Sequence, residues 1–316
     1  MLPVTACFVL LQASADQAQV AVSSEPKLRV HESGKIRVFY YTEGNHAVNP
    51  TDLNRNGIPD QVEDVLTQTL AAQTLFVEVL RFPDPFSTSR FRGASFLDIQ
   101  LRHKDTMKKR RGEAFDELQS FKRRKDPAGT LSMCFNVATS VDPCKELTPT
   151  HEFFHLIQSS LSYFKNRWYT EGTARWAERA MGRGALGPVK LSGAWPSTEE
   201  RASRLFAMTY DASEQFWNPM LARMDGCGET LPDSPAMKGL LAMSYVDGSK
   251  VLRDKQLKGW KFIREVVMAL GETDDVAFNE LGYDRWSEAN QRSPRNDAYI
   301  FRTVMTVARK YQAGAQ

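Results

Sequence analysis

Histidine is scarce in this chain and cysteine scarcer, five and four among 316 residues. Four cysteines cannot build the dense disulfide frame of a small secreted domain, so the fold must rest on a hydrophobic core. Long apolar runs are missing too: the one from Leu2 to Leu11 falls well short of the ~20 residues that span a bilayer as a helix. Charge of one sign is lacking, since 41 Lys and Arg against 38 Asp and Glu leave +3. That bias is too weak to point to nucleic acid or an anionic membrane as the main partner. What is present, 42% hydrophobic and 25% charged residues, is ordinary globular composition, and the length allows one large domain or two of about 150 residues.

Met1 to Ala15 carries no charge, and Ala13-Ser14-Ala15 offers an A-x-A cleavage pattern before Asp16. An apolar run of about ten suits the h-region of a signal peptide, although the usual n-region Lys or Arg is missing. This predicts a signal peptide over 1–15, a secreted or periplasmic location and no stable membrane insertion. Removal of that segment leaves Cys134, Cys144 and Cys227. Cys134 and Cys144 could close a short loop, or all three could be buried and unpaired.

The runs Ile36–Thr42, Phe96–Leu101 and Thr130–Val137 are β-rich and bounded by Gly, Pro or charge. Between the first two, Val62, Val65, Leu66, Leu70, Phe76, Val79 and Leu80 recur mostly at three- and four-residue spacings, which predicts one long amphipathic helix. After Thr148 nearly everything reads helical, including Trp260–Leu270 and Ala298–Arg309. The expectation is an α+β fold: a strand-rich N-terminal subdomain over 16–147 and a helical subdomain over 148–316. The mixed-charge stretch 104–125 reads as a solvated surface excursion.

His151-Glu152-Phe153-Phe154-His155 is an H-E-x-x-H motif in a helical setting. Thr148 can cap that helix, Pro149 suits its first position, and Leu156, Ile157 and Leu161 continue an apolar stripe. Residues at i and i+4 share a helix face, so both imidazoles can point at one zinc ion. Glu152 lies beside them, placed to take a proton from an attacking water rather than to bind the metal. His31, His46 and His103 are all upstream, so a third ligand downstream must be a carboxylate. Glu171, in Trp168-Tyr169-Thr170-Glu171-Gly172-Thr173-Ala174, supplies one at the start of a second helix that can turn back on the first.

H-E-x-x-H followed by W-x-x-E-G-x-A resembles the gluzincin clan of zinc metallopeptidases. The resemblance implies that His151, His155 and Glu171 bind zinc and that Glu152 is the catalytic base, with Glu178 as fallback ligand or as an outer carboxylate. Met208-Thr209-Tyr210-Asp211-Ala212 resembles the segment carrying the catalytic tyrosine in aminopeptidases of the clan, which makes Tyr210 the candidate oxyanion stabiliser, ahead of Tyr245 and His103. The G-[AG]-M-E-N segment of those aminopeptidases is absent. Ser132–Asn136 lies in the corresponding region and could pair with an extended substrate.

Asp52-x-Asn54-x-Asn56-Gly57-x-x-Asp60-x-x-Glu63 fits the twelve-residue calcium loop over 52–63 at every specified position. Asp52, Asn54, Asn56, Asp60 and Glu63 offer side-chain oxygens, Ile58 a backbone carbonyl, and Gly57 permits the sharp turn. Asn49-Pro50-Thr51 is no entering helix, so this is a half-hand, or else a polar Asx-rich turn that caps a helix. With Tyr40-Tyr41-x-x-Gly44 before it, the loop resembles the front of uncharacterised secreted bacterial metallopeptidases. The combined expectation is an exported zinc-dependent endopeptidase with structural Ca2+, acting on peptide or protein substrates. The alternatives are a non-catalytic, calcium-stabilised metal-binding surface protein and a zinc hydrolase acting on a non-peptide bond.

Overall fold

Alternating apolar residues build one mixed sheet. The computed structural model describes residues 27–121, 126–190 and 199–312, so the signal-peptide reading of 1–15 lies outside the described residues. The strands are β1 (Arg29–Ser33), β2 (Ile36–Tyr40), β3 (Phe96–Arg102), β4 (Gly112–Ala114) and β5 (Ser132–Ala138), in the order β1-β2-β3-β5-β4. β2, β3 and β5 run parallel, and β1 and β4 close the two edges antiparallel. Register aligns Ile36, Leu97 and Met133, then Val38, Ile99 and Phe135, so across the three parallel strands one face of the sheet is apolar and buried.

The parallel pair β2–β3 needs a crossover, which α1 (Asp60–Gln73) supplies. It continues into a wider π-helical turn, Thr74–Val79, so the apolar spacing read over 62–80 is one helix with a loosened end. Two helices follow β5: α2 (Thr148–Leu161) and α3 (Arg167–Glu178). The rest of the chain adds α4 (Glu199–Phe206), α5 (Asn218–Ala222), α6 (Pro235–Ala242), α7 (Trp260–Glu280), α8 (Glu288–Gln291) and α9 (Asp297–Gln312). The arrangement is α+β, as the order of sequence signals suggested. One hydrophobic cluster runs from Ile36 through Phe154 and Trp176 to Ala308, so both halves share a core. No helix among the described residues is long and apolar enough to cross a membrane.

The start of α2 is held from outside its own sequence. Thr148 does not cap it; no side chain of the preceding turn does. Instead the buried Gln68 of α1 accepts from Thr150 N–H and Thr150 Oγ1 at 3.1 Å each. Its amide donates to the Pro143 carbonyl (2.8 Å) and the Tyr245 hydroxyl (2.9 Å). An orphan donor of the first turn is thereby satisfied, and α1 and α2 are locked together where both pack on the sheet. Cys134 accepts from Gln100 and Cys144 donates to Asp64, and no disulfide joins the two, so the Cys134–Cys144 loop does not form.

Candidate metal centre

Helical spacing carries His151, Glu152 and His155 on α2, and the short 162–166 connection returns the chain as α3. That return is pinned by Asp297, which accepts from Asn166 Nδ2 and Trp168 Nε1 at 2.7 Å each. Gly172 lets α3 approach the helical segment Ser213–Trp217 closely, since a Cβ there would lie 2.6 Å from the Trp217 indole nitrogen. Glu171 is thus aimed at the histidines. His151 Nε2 lies 3.0 Å from His155 Nε2 and 3.2 Å from Glu171 Oε2, and His155 Nε2 lies 3.6 Å from the same oxygen. Bonds of ~2.0–2.2 Å at the tetrahedral angle would set ligand atoms about 3.3–3.6 Å apart. One separation matches that spacing and two are slightly tighter, so the triangle is of a size to hold one zinc-sized ion.

The outer hydrogen bonds fix which ring nitrogens face inward. His151 Nδ1 meets Glu178 Oε1 at 2.9 Å, and His155 Nδ1 meets Gln158 Oε1 at 2.7 Å. Both partners are acceptors, so in the neutral rings each Nδ1 carries the proton and each Nε2 a lone pair. Gln158 is itself oriented by donating to Thr170 O (3.0 Å) and Thr173 Oγ1 (2.6 Å). Glu178 therefore sits behind His151 rather than among the three converging atoms, and Arg175 holds it at 3.1 Å.

Two lone pairs and a carboxylate oxygen facing one point repel one another unless a cation lies between them. The electrostatics of the bare cluster carry the same demand. Burial resists charging His151, but its hydrogen bonds to the carboxylates of Glu171 and Glu178 outweigh it and push the ring up to about 10. Burial likewise opposes ionising Glu171, yet His151 and His155 hold it well below the usual carboxylate range. The donor set fits a divalent cation, which would replace the proton on His151.

Glu152 is buried beside this triangle, and burial raises its carboxyl above the ordinary value despite the pull of His155 and His151. Tyr210 is 44% exposed, with its ring centroid 6.1 Å from that of His151. Arg167 and Arg175 flank it, their guanidinium carbons 5.7 and 5.2 Å from the ring centre. Tyr210, Glu152 and the three converging residues all line one open cleft of about 500 Å³. Its rim is charged: Lys165 meets Asp116 at 2.9 Å and also Glu288, and Arg110 meets Glu113 at 2.5 Å.

The other candidates lie elsewhere. Tyr245 is buried against Gln68, and His103 caps a short turn beyond β3, where its N–H donates to His46; neither lines the cleft. Ser132–Asn136 has no edge to offer a peptide, because β5 is paired with β3 on one side and β4 on the other. The cleft's strand is β4, hidden within the charged stretch that reads as a surface excursion. Gln158 was also missed; its only sequence signal is its place one turn after His155.

In the 52–63 loop, Arg55 (φ 59°) and Gly57 (φ 85°) take left-handed conformations, and the donors gather round a tight turn. Asp52 accepts from Gly57 N–H (2.9 Å) and Asn56 N–H (3.2 Å), and Asn56 accepts from Ile58 N–H (2.8 Å). Glu63 accepts from the Asn56 amide (2.7 Å) and the Asn54 amide (3.0 Å). Asp60 accepts instead from Leu53 N–H at 2.9 Å. Among the described residues, the one group of three or more His, Cys, Asp or Glu side chains close enough to share a metal is His151, His155 and Glu171. Comparison of the chain with protein-family models, curated proteins and solved structures gives no match.

Proposed function

We propose that this chain is an exported zinc-dependent hydrolase that cleaves peptide bonds, most simply as an endopeptidase. The observation that carries this reading is the triangle of His151 Nε2, His155 Nε2 and Glu171 Oε2 beside a buried carboxylate in an open cleft. Zinc bound there would supply a Lewis acid that polarises the scissile carbonyl and acidifies water. His151, His155 and Glu171 would hold it, with Glu178 and Gln158 fixing the two ring orientations. Glu152, its proton affinity raised by burial and moderated by its two histidine neighbours, takes the proton from the attacking water and returns it to the leaving amine. Tyr210 overhangs the site from the rim and donates its hydroxyl to the developing oxyanion. The apolar Met1–Ala15 stretch supports the exported location.

Asp52, Asn54, Asn56, Ile58, Asp60 and Glu63 would hold a structural calcium that fixes the start of α1; the left-handed turns at Arg55 and Gly57 support this. The test of the main reading is metal content together with cleavage of a peptide library. About one zinc per chain and cleavage by wild type but not by Glu152→Gln is the expected result. A pure protein without zinc, or equal cleavage by the two, would reject it. Zinc without peptide cleavage would favour a non-peptide bond or a binding role.

A further inference from the structure

β4 is three residues long, yet it is the strand that touches Glu152. It pairs with β5 through Gly112–Val137, Glu113–Asn136 and Ala114–Phe135. Ala138 N–H donates to Arg111 O at 2.7 Å and Phe115 N–H to Cys134 O at 3.0 Å. Backbone groups alternate sides along a strand, so the N–H of Ala114 points away from β5. It finds the Glu152 carboxylate and hydrogen-bonds to it. Two residues earlier on the same free edge, a Cβ at Gly112 would lie 2.1 Å from Glu152 Oε1, 2.6 Å from Cδ and 2.7 Å from Cγ. Gly112 is not among the residues with positive φ, so the backbone there does not call for glycine. Glycine inside a strand weakens it and often marks a close approach. What glycine supplies at 112 is room, and the Glu152 side chain fills that room.

We propose that Gly112 and Ala114 are the positioning residues of Glu152: the missing side chain at 112 and the N–H at 114 together seat its carboxylate against the free edge of β4. This rests on the reading of Glu152 as the proton acceptor. The nearest atoms to an added Cβ all belong to the flexible side chain of Glu152, so a methyl group is accommodated by turning that side chain out. The candidate metal ligands on the same helix, His151 one residue before and His155 three residues after, converge on Glu171 and stay where they are. The edge strand therefore tunes the base separately from the metal.

A double-mutant cycle on the metal-free full chain tests this without reference to turnover. Gly112→Ala should lower the melting temperature by about 3–6 °C, the usual effect of overpacking in a domain this large. In a Glu152→Ala background the three crowding atoms are gone, and the same change should shift melting by no more than ~1 °C. On the zinc-loaded enzyme, Gly112→Ala should keep one zinc per chain and its KM while kcat falls about 100-fold. Ala114→Pro removes the outward N–H without touching the ladder, and should lower kcat about tenfold with zinc retained. An equal melting shift in both backgrounds, or full turnover by Gly112→Ala, would overturn the proposal. If wild type cleaves no peptide, the peptidase reading fails while the melting cycle still decides the contact.

Discussion

The loop at 52–63 and the cluster at 151–178 both gather ion-binding groups, and they differ in what those groups already hold. In the loop, Asp52, Asn56 and Glu63 spend their oxygens on backbone N–H groups and on neighbouring amides, so the turn closes on itself. In the cluster, the outer acceptors Glu178 and Gln158 take the ring protons and leave the inner lone pairs facing each other. A turn that satisfies its own donors can stand without an ion. A set of converging lone pairs held apart by outer partners cannot, except by taking up a proton. The cluster is thus expected to depend on its ion for chemistry and the loop only for stability.

The largest effect that would test this contrast is at the base. Glu152→Gln should lower kcat by about 10²–10⁴-fold while zinc content stays at one per chain, measured by peptide cleavage and metal analysis. Next is the division between inner and outer carboxylates. Glu171→Ala should abolish zinc binding, whereas Glu178→Ala should weaken it by only about 10–100-fold in chelator competition. Equal losses would erase the distinction between the two glutamates.

The third test uses pH. In the metal-free chain His151 is pushed up to about 10, above the ~6.5 of an unfolded histidine. The stability it contributes is fully present below about pH 6.5 and is lost as pH rises through its folded value. Metal-free protein should therefore lose melting temperature between pH 6.5 and 10, and the zinc-loaded protein should lose much less because the metal stands in the proton's place. Identical alkaline profiles would mean that the two do not compete for His151. The smallest effect belongs to the loop: calcium at 100 times its Kd should stabilise by about 2.7 kcal/mol, seen as a rise of several degrees in melting. Asp52→Ala with Glu63→Ala should remove that rise and leave zinc content unchanged.

Sequence spacing made the α+β order and the helices bearing His151, His155 and Glu171 legible, because a 3.6-residue period and an i, i+4 pair are local properties. The parallel strands at Ile36, Phe96 and Ser132 were legible for the same reason. What escaped was set by contacts distant in sequence. β4 has only Gly112, Glu113 and Ala114 to announce it, amid charge that masks any alternation, and its identity as the sheet edge depends on β5. Gln158 is an unremarkable polar residue until Thr170 and Thr173 turn its oxygen toward His155. Thr148 had the local chemistry of a helix cap, yet the group that performs that task comes from Gln68, one helix away.

That single amide has a consequence in time as well as in space. Helix ends ordinarily fray, opening and closing far faster than the domain unfolds. The first turn of α2 is instead tied to Gln68, which is itself tied to Pro143 and Tyr245. The amide proton of Thr150 can meet solvent only when α1 separates from α2, an event that breaches the shared core. The helix that presents His151 should exchange hydrogen as slowly at its beginning as at its middle.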